Sequence, residues 1–257
     1  MMKNLFLGLV QYVAFKFYYV LNRVGFFKFE VFDQAFIKLY FIYKRNIESD
    51  NLDFLKSFIK KNITVIDVGA NIGYFSIEIS KYLDSSSKII AIEPSPVNFL
   101  RMQKVVKEKK PEPSTILVLA GLSEENGWGS LEIDPSNPAN HKITEEVDAA
   151  KPVELQTLDG ITENLENVAL IKIDVQGYEL AVLRGGKRLL REQSPALLIE
   201  IDNRTNTKLG EKIWDYLDDI NYCMFRTNDL EKEISKVQLK ATSGYFDVFC
   251  IRKGGVV

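Results

Sequence analysis

The sequence predicts an α/β fold in which helices cover both faces of a mostly parallel sheet and a helical extension precedes the sheet. Runs of β-branched residues alternate along the chain with apolar segments of helical period. Such an alternation, with a pair of strands at the end of the chain, is typical of a mostly parallel sheet that helices cover on both faces. The first fifty residues are unusually rich in aromatic and basic residues. We therefore predict an extension over residues 1–50 and one α/β domain over residues 51–257.

A glycine-containing turn follows the first predicted strand. The β-branched run over residues 63–68 ends in Gly-Ala-Asn-Ile-Gly, and an apolar-periodic segment predicts a helix from Tyr74 to Leu83. Such a turn lets a ligand approach the backbone at the carboxyl end of a strand, where open α/β sheets bind ligands. The predicted cofactor-binding residues of this region are Asp67, Gly69, Ala70, Asn71 and Gly73.

The second predicted strand, Lys88–Glu93, ends in an acidic residue. Glu93 lies about as far beyond the turn as a carboxylate that hydrogen-bonds a ribose, so the site suits a nucleoside. Dinucleotides need a middle glycine that is absent here, and Asp67 would lie near their pyrophosphate. S-adenosylmethionine instead carries an ammonium and a sulfonium, which favour nearby carboxylates. This ligand therefore fits better than a dinucleotide, and a turn without any ligand is the remaining alternative.

The later elements continue the alternation of strands and helices. Pro96 starts a helix that runs to about Glu108. A polar stretch over residues 134–142, long for a connection, predicts a functional loop. The remaining elements are strands near 115–120, 128–133, 153–157, 168–174, 195–202, 221–227 and 244–252, and a helix over 208–219.

Two sets of motifs resemble known proteins. Residues 67–73 are similar to motif I of class I S-adenosylmethionine-dependent methyltransferases, which have a Rossmann-like fold. Leu158-Asp159, the segment Leu170–Gly186 (LIKIDVQGYELAVLRGG) and Leu197–Glu200 resemble the FkbM family, and the likeness runs from about Asn62 to Asp202. The resemblance implies S-adenosylmethionine as cofactor and O-methylation of a sugar, polyketide or similar hydroxyl. It also implies that Ser123 contacts adenine. Gln176 departs from the pattern, which usually has Glu there.

Charged residues in apolar strands are candidates for the acceptor site. Lys172 lies among apolar neighbours, and a buried ammonium needs a partner, so we predict an ion pair with Glu200 on the next strand. The alternative is that both residues bind substrate. Asp174 ends its strand on the ligand side, where it would orient an acceptor hydroxyl or accept its proton.

Two further residues are candidates for catalysis. Glu179 begins a helix, where it either acts in catalysis or provides a favourable charge at the helix N-terminus. His141 is the only histidine. It would either act as a base from the predicted loop or be an exposed residue without a catalytic role. We predict no metal site, because Gln176 removes a ligand that Asp174 and Glu179 would need.

Composition limits the partners and the location. The net charge of −2 gives no indication of nucleic acid binding, and the two cysteines have no metal-binding spacing. We expect a reducing, cytoplasmic location. Gln11 and Lys16 interrupt the longest apolar run of residues 1–45, which argues against a spanning helix. A signal peptide fits poorly, because no small-residue cleavage site follows. This segment is either a cap on the core or a helix in peripheral contact with the inner face of the membrane. No feature indicates an oligomeric state.

The function that follows is S-adenosylmethionine-dependent O-methylation of a sugar, glycan or related small-molecule natural product by in-line methyl transfer. One alternative is N-methylation with the same cofactor fold. Another is a non-catalytic protein that binds S-adenosylmethionine and interacts with partners through residues 1–45. A nicotinamide dehydrogenase is disfavoured by the missing glycine.

Overall fold

The computed structural model describes residues 29–46, 52–133, 141–144, 151–203, 208–242 and 244–254, together with Gly25, Glu146 and Asp148. The chain divides into two compact units. The first comprises Met1–Asn51 and Glu132–His141, and the second comprises Leu52–Leu131 and Lys142–Val257. Apart from His141, every candidate site residue belongs to the second unit.

The first unit contains helix α1, Glu30–Asn46. Acidic residues lie in its first turn and basic residues in its last, an arrangement that complements the helix dipole. Several apolar side chains at or near its start and along its length are exposed: Phe29, Val31, Leu39 and Ile42. No described helix is both long and apolar enough to span a membrane. Most of the predicted extension before this helix lies outside the described residues.

An eight-stranded sheet organises the second unit. Its strands are β1 Thr64–Val68, β2 Lys88–Ile92, β3 Ser114–Val118, β8 Val168–Ile173, β9 Ala196–Asp202, β10 Tyr222–Arg226, β11 Asp229–Glu233 and β12 Tyr245–Arg252. They lie in the order β11-β10-β12-β9-β8-β1-β2-β3. The five strands from β9 to β3 in that order pair in parallel, and the other pairings are antiparallel.

Helices cover both faces of this sheet, because its interior strands are apolar on both sides. One face packs Ile66, Ile171 and Ile199 into the larger core, and the other packs Val65 and Leu170 into a second core. The helices of this unit are a 3₁₀ helix Leu52–Ser57, α2 Tyr74–Ser80, α3 Pro96–Lys109, α4 Leu158–Ile161, α5 Glu179–Gly185, α6 Lys187–Glu192, α7 Leu209–Asp219 and α8 Lys236–Ala241. The predicted α/β class is thus confirmed.

A smaller sheet contains four strands, β4 Gly121–Leu122, β5 Gly127–Ile133, β6 His141–Thr144 and β7 Pro152–Gln156. They lie in the order β4-β7-β5-β6. The loop predicted over residues 134–142 lies mostly outside the described residues. For His141 and Lys142 that prediction is wrong, because both lie in β6. Strand β6 directs Ile143 into a small core that also contains Leu131, Val153 and Leu155.

The sequence patterns predict neither strand β11 nor helix α8. Strand β11 is polar and mostly exposed at the edge of the sheet, so it carries no apolar alternation to reveal it. Helix α8 is short, but it begins with a capping box formed by Ser235 and Gln238, a signal that can be read from sequence.

Candidate active site

The glycine turn after β1 lies directly against the end of β8. Gly69 has a left-handed φ of 77°, and a Cβ at this position would lie 1.9 Å from the carbonyl oxygen of Asp174. Only glycine fits there, since any side chain would displace one of the two backbones. The N–H groups of Gly69 and Ala70 both donate to the carbonyl of Ile92, each at 3.0 Å. The turn is therefore fixed between the ends of β8 and β2.

Two more residues of the turn have positive φ, namely Asn71 at 53° and Gly73 at 85°. Asn71 tolerates this conformation better than most residues, because asparagine is enriched there. A Cβ on Gly73 would lie 3.1 Å from Cγ of Met102 in α3, so the start of α2 packs closely on that helix. The sequence pattern of residues 69–73 is explained by these backbone requirements.

Glu93 lies at the carboxyl end of β2 and holds the glycine turn from the other side. Its Oε2 accepts from the N–H of Asn71 at 2.8 Å, and its Oε1 accepts from the N–H of Ser95 at 2.9 Å. The residue is only 4% exposed, and this burial raises the pKa of Glu93 to about 7. The Asn98 side chain also hydrogen-bonds this carboxylate. Because each carboxylate oxygen has two lone pairs, the group still retains capacity for a ligand hydroxyl.

Asp67 is wholly buried beneath the turn. Its Oδ2 accepts from the Ser76 hydroxyl at 2.6 Å, which ties the end of β1 to α2. Its Oδ1 has no hydrogen bond from any described residue and lies 3.8 Å from Nζ of Lys172. Burial raises the pKa of Asp67, and the Lys172 ammonium and the Ser76 hydroxyl oppose that shift. Asp67 is therefore not an exposed ligand, and its carboxyl group lies between the Ser76 hydroxyl and the Lys172 ammonium.

A polar network joins the ends of β8 and β9. Nζ of Lys172 lies 3.1 Å from Oδ2 of Asp174, and the side chains are 17% and 23% exposed, respectively. The amide nitrogen of Gln176 donates to Oδ1 of Asp174 at 3.1 Å and to Oε1 of Glu200 at 3.2 Å. Lys172 thus pairs with Asp174 and Asp67, and Glu200, its predicted partner, joins the same network through Gln176.

Glu179 is 1% exposed at the start of α5. Its Oε1 accepts from the N–H of Val175 at 3.3 Å and of Gly177 at 2.9 Å, so it fixes the turn between β8 and α5. Its Oε2 is buried without a hydrogen-bond partner among the described residues. Burial raises the pKa of Glu179 to about 7. The structure thus gives Glu179 a part in shaping the turn, and its predicted catalytic role stays a prediction.

Other residues of the FkbM-like motifs lie outside the site and pack against the helices next to it. The two carboxylate oxygens of Asp159 accept from the N–H groups of Arg188 and Leu189, each at 2.9 Å, and so cap α6. A Cβ on Gly186 would lie 2.6 Å from the side chain of Leu158. Leu158 and Asp159 therefore contact Gly186 and the start of α6, although they are distant from them in sequence. These contacts position α5 and α6.

Ser123, the predicted adenine contact, is buried immediately after β4. Its N–H donates to the carbonyl of Gln156 at 2.9 Å, and a Cβ on Gly185 would lie 2.1 Å from its carbonyl oxygen. Close packing against α5 therefore fixes the backbone of Ser123. Its contact with adenine stays a prediction.

His141 lies in a different compact unit from the residues described so far. It begins β6, its side chain is half-buried, and it belongs to the first compact unit, whereas Asp174 belongs to the second. Its role as a base stays a prediction.

Neither of the two clearest clefts in the described part of the chain lies at this site. One, of about 260 Å³, is lined by residues that include Thr64, Lys88 and Asn167 at the amino ends of the strands. The other lies over the smaller sheet beside Trp128. Within the described residues, no group of three or more His, Cys, Asp or Glu side chains has an arrangement that would hold a metal ion. The site described above is a polar surface at the carboxyl ends of β1, β2, β8 and β9.

Fold and site together define a Rossmann-like domain with a glycine turn at the carboxyl end of β1 and an adjoining polar network. Comparison with known families is more specific, since the methyltransferase FkbM domain matches residues 67–226. The chain therefore belongs to this family, and the resemblance found in the sequence is confirmed. It is a methyltransferase domain, and the cofactor of the family is S-adenosylmethionine.

Individual relatives agree with this assignment. Methyltransferase sdnD of Sordaria araneosa is 28% identical over 182 residues, which is 58% of this chain and 69% of the relative. Hexuronic acid methyltransferase AglP of Haloferax volcanii is 28% identical over 170 residues, which is 63% of this chain and 67% of the relative. A crystal structure of methyltransferase FkbM from Methylobacillus flagellatus shares the fold, with a TM-score of 0.52 and 18% identity. That match covers 75% of this chain and 44% of the other.

The residues present fit S-adenosylmethionine. Glu93 offers a carboxylate with spare acceptor capacity for ribose hydroxyls, at the place where the glycine turn lets a ligand approach. The buried Oδ1 of Asp67 lacks a hydrogen bond from the described residues, and an ionised carboxylate there would attract a cationic ligand. The cofactor would thus be held by the turn 69–73 and Glu93, with Asp67 beneath them.

Proposed function

We propose that this protein is an S-adenosylmethionine-dependent O-methyltransferase that acts on a hydroxyl of a sugar, a glycan or a related small-molecule natural product. One observation carries the proposal, namely the contact between the glycine turn and Asp174. The added Cβ on Gly69 would lie 1.9 Å from the Asp174 carbonyl oxygen, so the cofactor-binding turn and the candidate base are direct neighbours. An acceptor bound at Asp174 would therefore lie beside the cofactor.

Positioning is the main contribution that the chain makes to this reaction. S-adenosylmethionine supplies a methyl group already activated on a sulfonium sulfur. Holding two reactants in line contributes on the order of 7–11 kcal/mol to lowering a barrier. The turn 69–73 and Glu93 fix one reactant, and the network of Lys172, Asp174, Gln176 and Glu200 fixes the other.

Asp174 is the residue that we assign to the acceptor proton. The acceptor oxygen forms the new C–O bond while the methyl–sulfur bond breaks, and the sulfur keeps the electron pair of that bond. The hydroxyl proton passes to the Asp174 carboxylate, which is 23% exposed and can release it to solvent. A positioned base of this kind contributes roughly 10²–10⁴-fold when the acceptor is an unactivated alcohol.

Two observations support a hydroxylated acceptor. Carboxylate and amide groups at the ends of β8 and β9 match the hydrogen-bonding needs of hydroxyl groups. AglP, the relative from Haloferax volcanii, is by its name a methyltransferase of a sugar acid. Nucleic acid as acceptor is not favoured, because the chain has a net charge of −2.

We also infer a cytoplasmic location with peripheral membrane contact through residues 1–45. Helix α1 supports this inference, because it exposes Leu39 and Ile42 together with basic residues near its end. Sedimentation with anionic phospholipid vesicles tests it. We expect Leu39→Glu with Ile42→Glu to abolish binding, and binding that persists in this double variant would contradict the inference.

Transfer of a labelled methyl group tests the enzymatic proposal. Purified protein, methyl-labelled S-adenosylmethionine and a panel of glycosides, phenols and amines are incubated, and each product's methylated atom is identified by NMR. We expect O-methyl products, and a loss of roughly a hundredfold or more in kcat for Asp174→Asn. Methyl transfer to nitrogen would replace the proposal with N-methylation. Cofactor binding without transfer to any acceptor would favour a non-catalytic interaction protein.

A further inference from the structure

The turn that carries Gln176 has an uncommon backbone. Gln176 has a left-handed φ of 54°, and Gly177 follows with a φ of 104°. Glutamine is disfavoured in this region, because its Cβ crowds the following carbonyl oxygen. The buried Glu179 holds the turn by accepting from the N–H groups on both sides of Gln176. The structure therefore maintains an unfavourable conformation at a residue that contacts the acceptor network.

This conformation directs the Gln176 side chain between two carboxylates. Its amide nitrogen lies 3.1 Å from Oδ1 of Asp174 and 3.2 Å from Oε1 of Glu200. A side-chain amide has two N–H hydrogens, and the bridge uses both of them. The separation of the two oxygens is therefore limited to the sum of those distances. Without the bridge, like charge would drive the two carboxylates apart.

The charges of the network restrict the acceptor. Asp67, Asp174 and Glu200 are acidic, and Lys172 is the cation that lies beside Asp67 and Asp174. When these four groups are ionised, their sum is negative. An acceptor with its own carboxylate at this place would be repelled, whereas hydroxyl groups can donate to both carboxylates.

We propose that Gln176 is a positioning residue that sets acceptor specificity. By holding Asp174 and Glu200 at a fixed separation, it selects an uncharged polyol or sugar ring with two neighbouring hydroxyl groups. One hydroxyl donates to Asp174 and is methylated, and its neighbour donates to Glu200 and fixes the ring. This inference rests on the proposed O-methyltransferase function and adds to it the class of acceptor.

The experiment compares matched acceptors. Neutral methyl pyranosides are each tested beside the monodeoxy analogue that lacks one neighbouring hydroxyl, and beside the corresponding uronide. For the wild type, we expect kcat/KM for the diol to exceed the values for the monodeoxy analogue and the uronide by roughly a hundredfold or more. The monodeoxy analogue leaves a polar group of the site without its partner, and the carboxylate of the uronide is repelled. For Gln176→Leu, we expect this ratio to collapse to within about fivefold, with the Kd for S-adenosylhomocysteine changed less than about twofold.

A second glutamine provides the matched control. Gln193 also makes two side-chain hydrogen bonds, to the N–H of Val168 and the carbonyl of Leu165, but at the amino end of β8. We expect Gln193→Leu to lower Tm without changing the ratio of diol to monodeoxy acceptor. Gln176→Gly, which removes the bridge and relieves the backbone, should lose the ratio while keeping a wild-type Tm.

Three results would overturn the inference. These are preferred methylation of uronides or single-hydroxyl acceptors, a ratio in Gln176→Leu equal to that of the wild type, and the absence of any methylated neutral diol in the panel. Each of them leaves the proposed function intact if another hydroxyl takes the methyl group. The proposed function itself fails only if no oxygen is methylated at all.

Discussion

The two halves of the site are built differently. At the ends of β1 and β2, backbone groups and nearly buried carboxylates hold the glycine turn, with Asp67 0% and Glu93 4% exposed. At the ends of β8 and β9, partly exposed side chains bond one another. The first half suits a cofactor that never changes, because its geometry depends on backbone shape. The geometry of the second half depends on side chains, which can be exchanged with less change to the backbone.

The largest effect should come from breaking the backbone contact that joins the halves. Gly69→Ala places a Cβ 1.9 Å from the Asp174 carbonyl at a φ of 77°, so we expect a loss of about 4 kcal/mol or more in the free energy of unfolding. Chemical denaturation measures it. Gly127→Ala is the control, because a Cβ there meets nothing within 4 Å. Equal stability of the two variants would show that the contact does not constrain the turn.

The second-largest effect concerns the Lys172 ammonium, which lies near Asp67 in the first half and near Asp174 in the second. Lys172→Met leaves the buried Asp67 without its neighbouring cation, and we expect a loss of about 2–3 kcal/mol in unfolding free energy at pH 8. Lys56→Met is the matched control, since Lys56 pairs with Asp53 at 2.7 Å but both side chains are more than half exposed. We expect no measurable change there. A Tm for Lys172→Met equal to that of the wild type would contradict a stabilising role for the ammonium.

The cofactor half should respond to pH through Glu93. Burial raises the pKa of Glu93 to about 7, so the free protein holds this proton more tightly than the unfolded chain does. The contribution of Glu93 to stability therefore falls as pH rises from about 4.5 through 7. Cofactor affinity should change in the opposite direction and increase with pH, if ribose hydroxyls donate to the ionised carboxylate of Glu93. It should approach its maximum near pH 8, be about half of that at pH 7, and fall about tenfold between pH 8 and pH 6.

Calorimetric titration with S-adenosylhomocysteine at several pH values measures this dependence. Glu93→Gln should bind more weakly and lose the pH dependence. Glu179→Gln is the control, because burial also raises the pKa of Glu179 to about 7, yet its bonded oxygen holds the turn of the acceptor half. If the pH dependence disappears in Glu179→Gln and persists in Glu93→Gln, the assignment of the two carboxylates is reversed.

The smallest effect is expected at Asp159, a motif residue to which we assign a structural role and no part in cofactor binding. Asp159→Ala removes two hydrogen bonds that cap α6, and we expect a loss of about 1 kcal/mol in stability. The Kd for S-adenosylhomocysteine should stay within about twofold of the wild-type value. A large loss of cofactor affinity in Asp159→Ala, without a loss of stability, would show that Asp159 takes part in cofactor binding.

The sequence reveals the parts of the fold that are apolar or constrained in backbone shape. Strands β1, β2 and β8 are predictable because their burial requires continuous apolar runs, and the turn 69–73 because its geometry requires glycine. Edge strand β11 escapes prediction because exposure removes that requirement. Residues 134–140 and most of the N-terminal segment lie outside the described residues.

The candidate site is less predictable than the fold. The need of Lys172 for acidic partners follows from its apolar neighbours in the sequence, and Asp174 lies two residues further along the chain. The proximity of Asp67 depends on the register between β1 and β8. The bridge made by Gln176 depends on a left-handed backbone that no local pattern indicates. The packing of the Leu158 side chain against α6 at Gly186 is a tertiary contact between residues far apart in sequence.

The contact of Gly69 with Asp174 involves the peptide backbone alone on the β8 side. Exchanging the Asp174 side chain therefore leaves that contact in place. A designer who wished to redirect this domain to a new acceptor could vary residues 176 and 200 as a library, with the glycine turn, Lys172 and Asp174 held constant. Natural divergence has the same route open to it, because these two side chains can change while the contact between the two backbones stays in place.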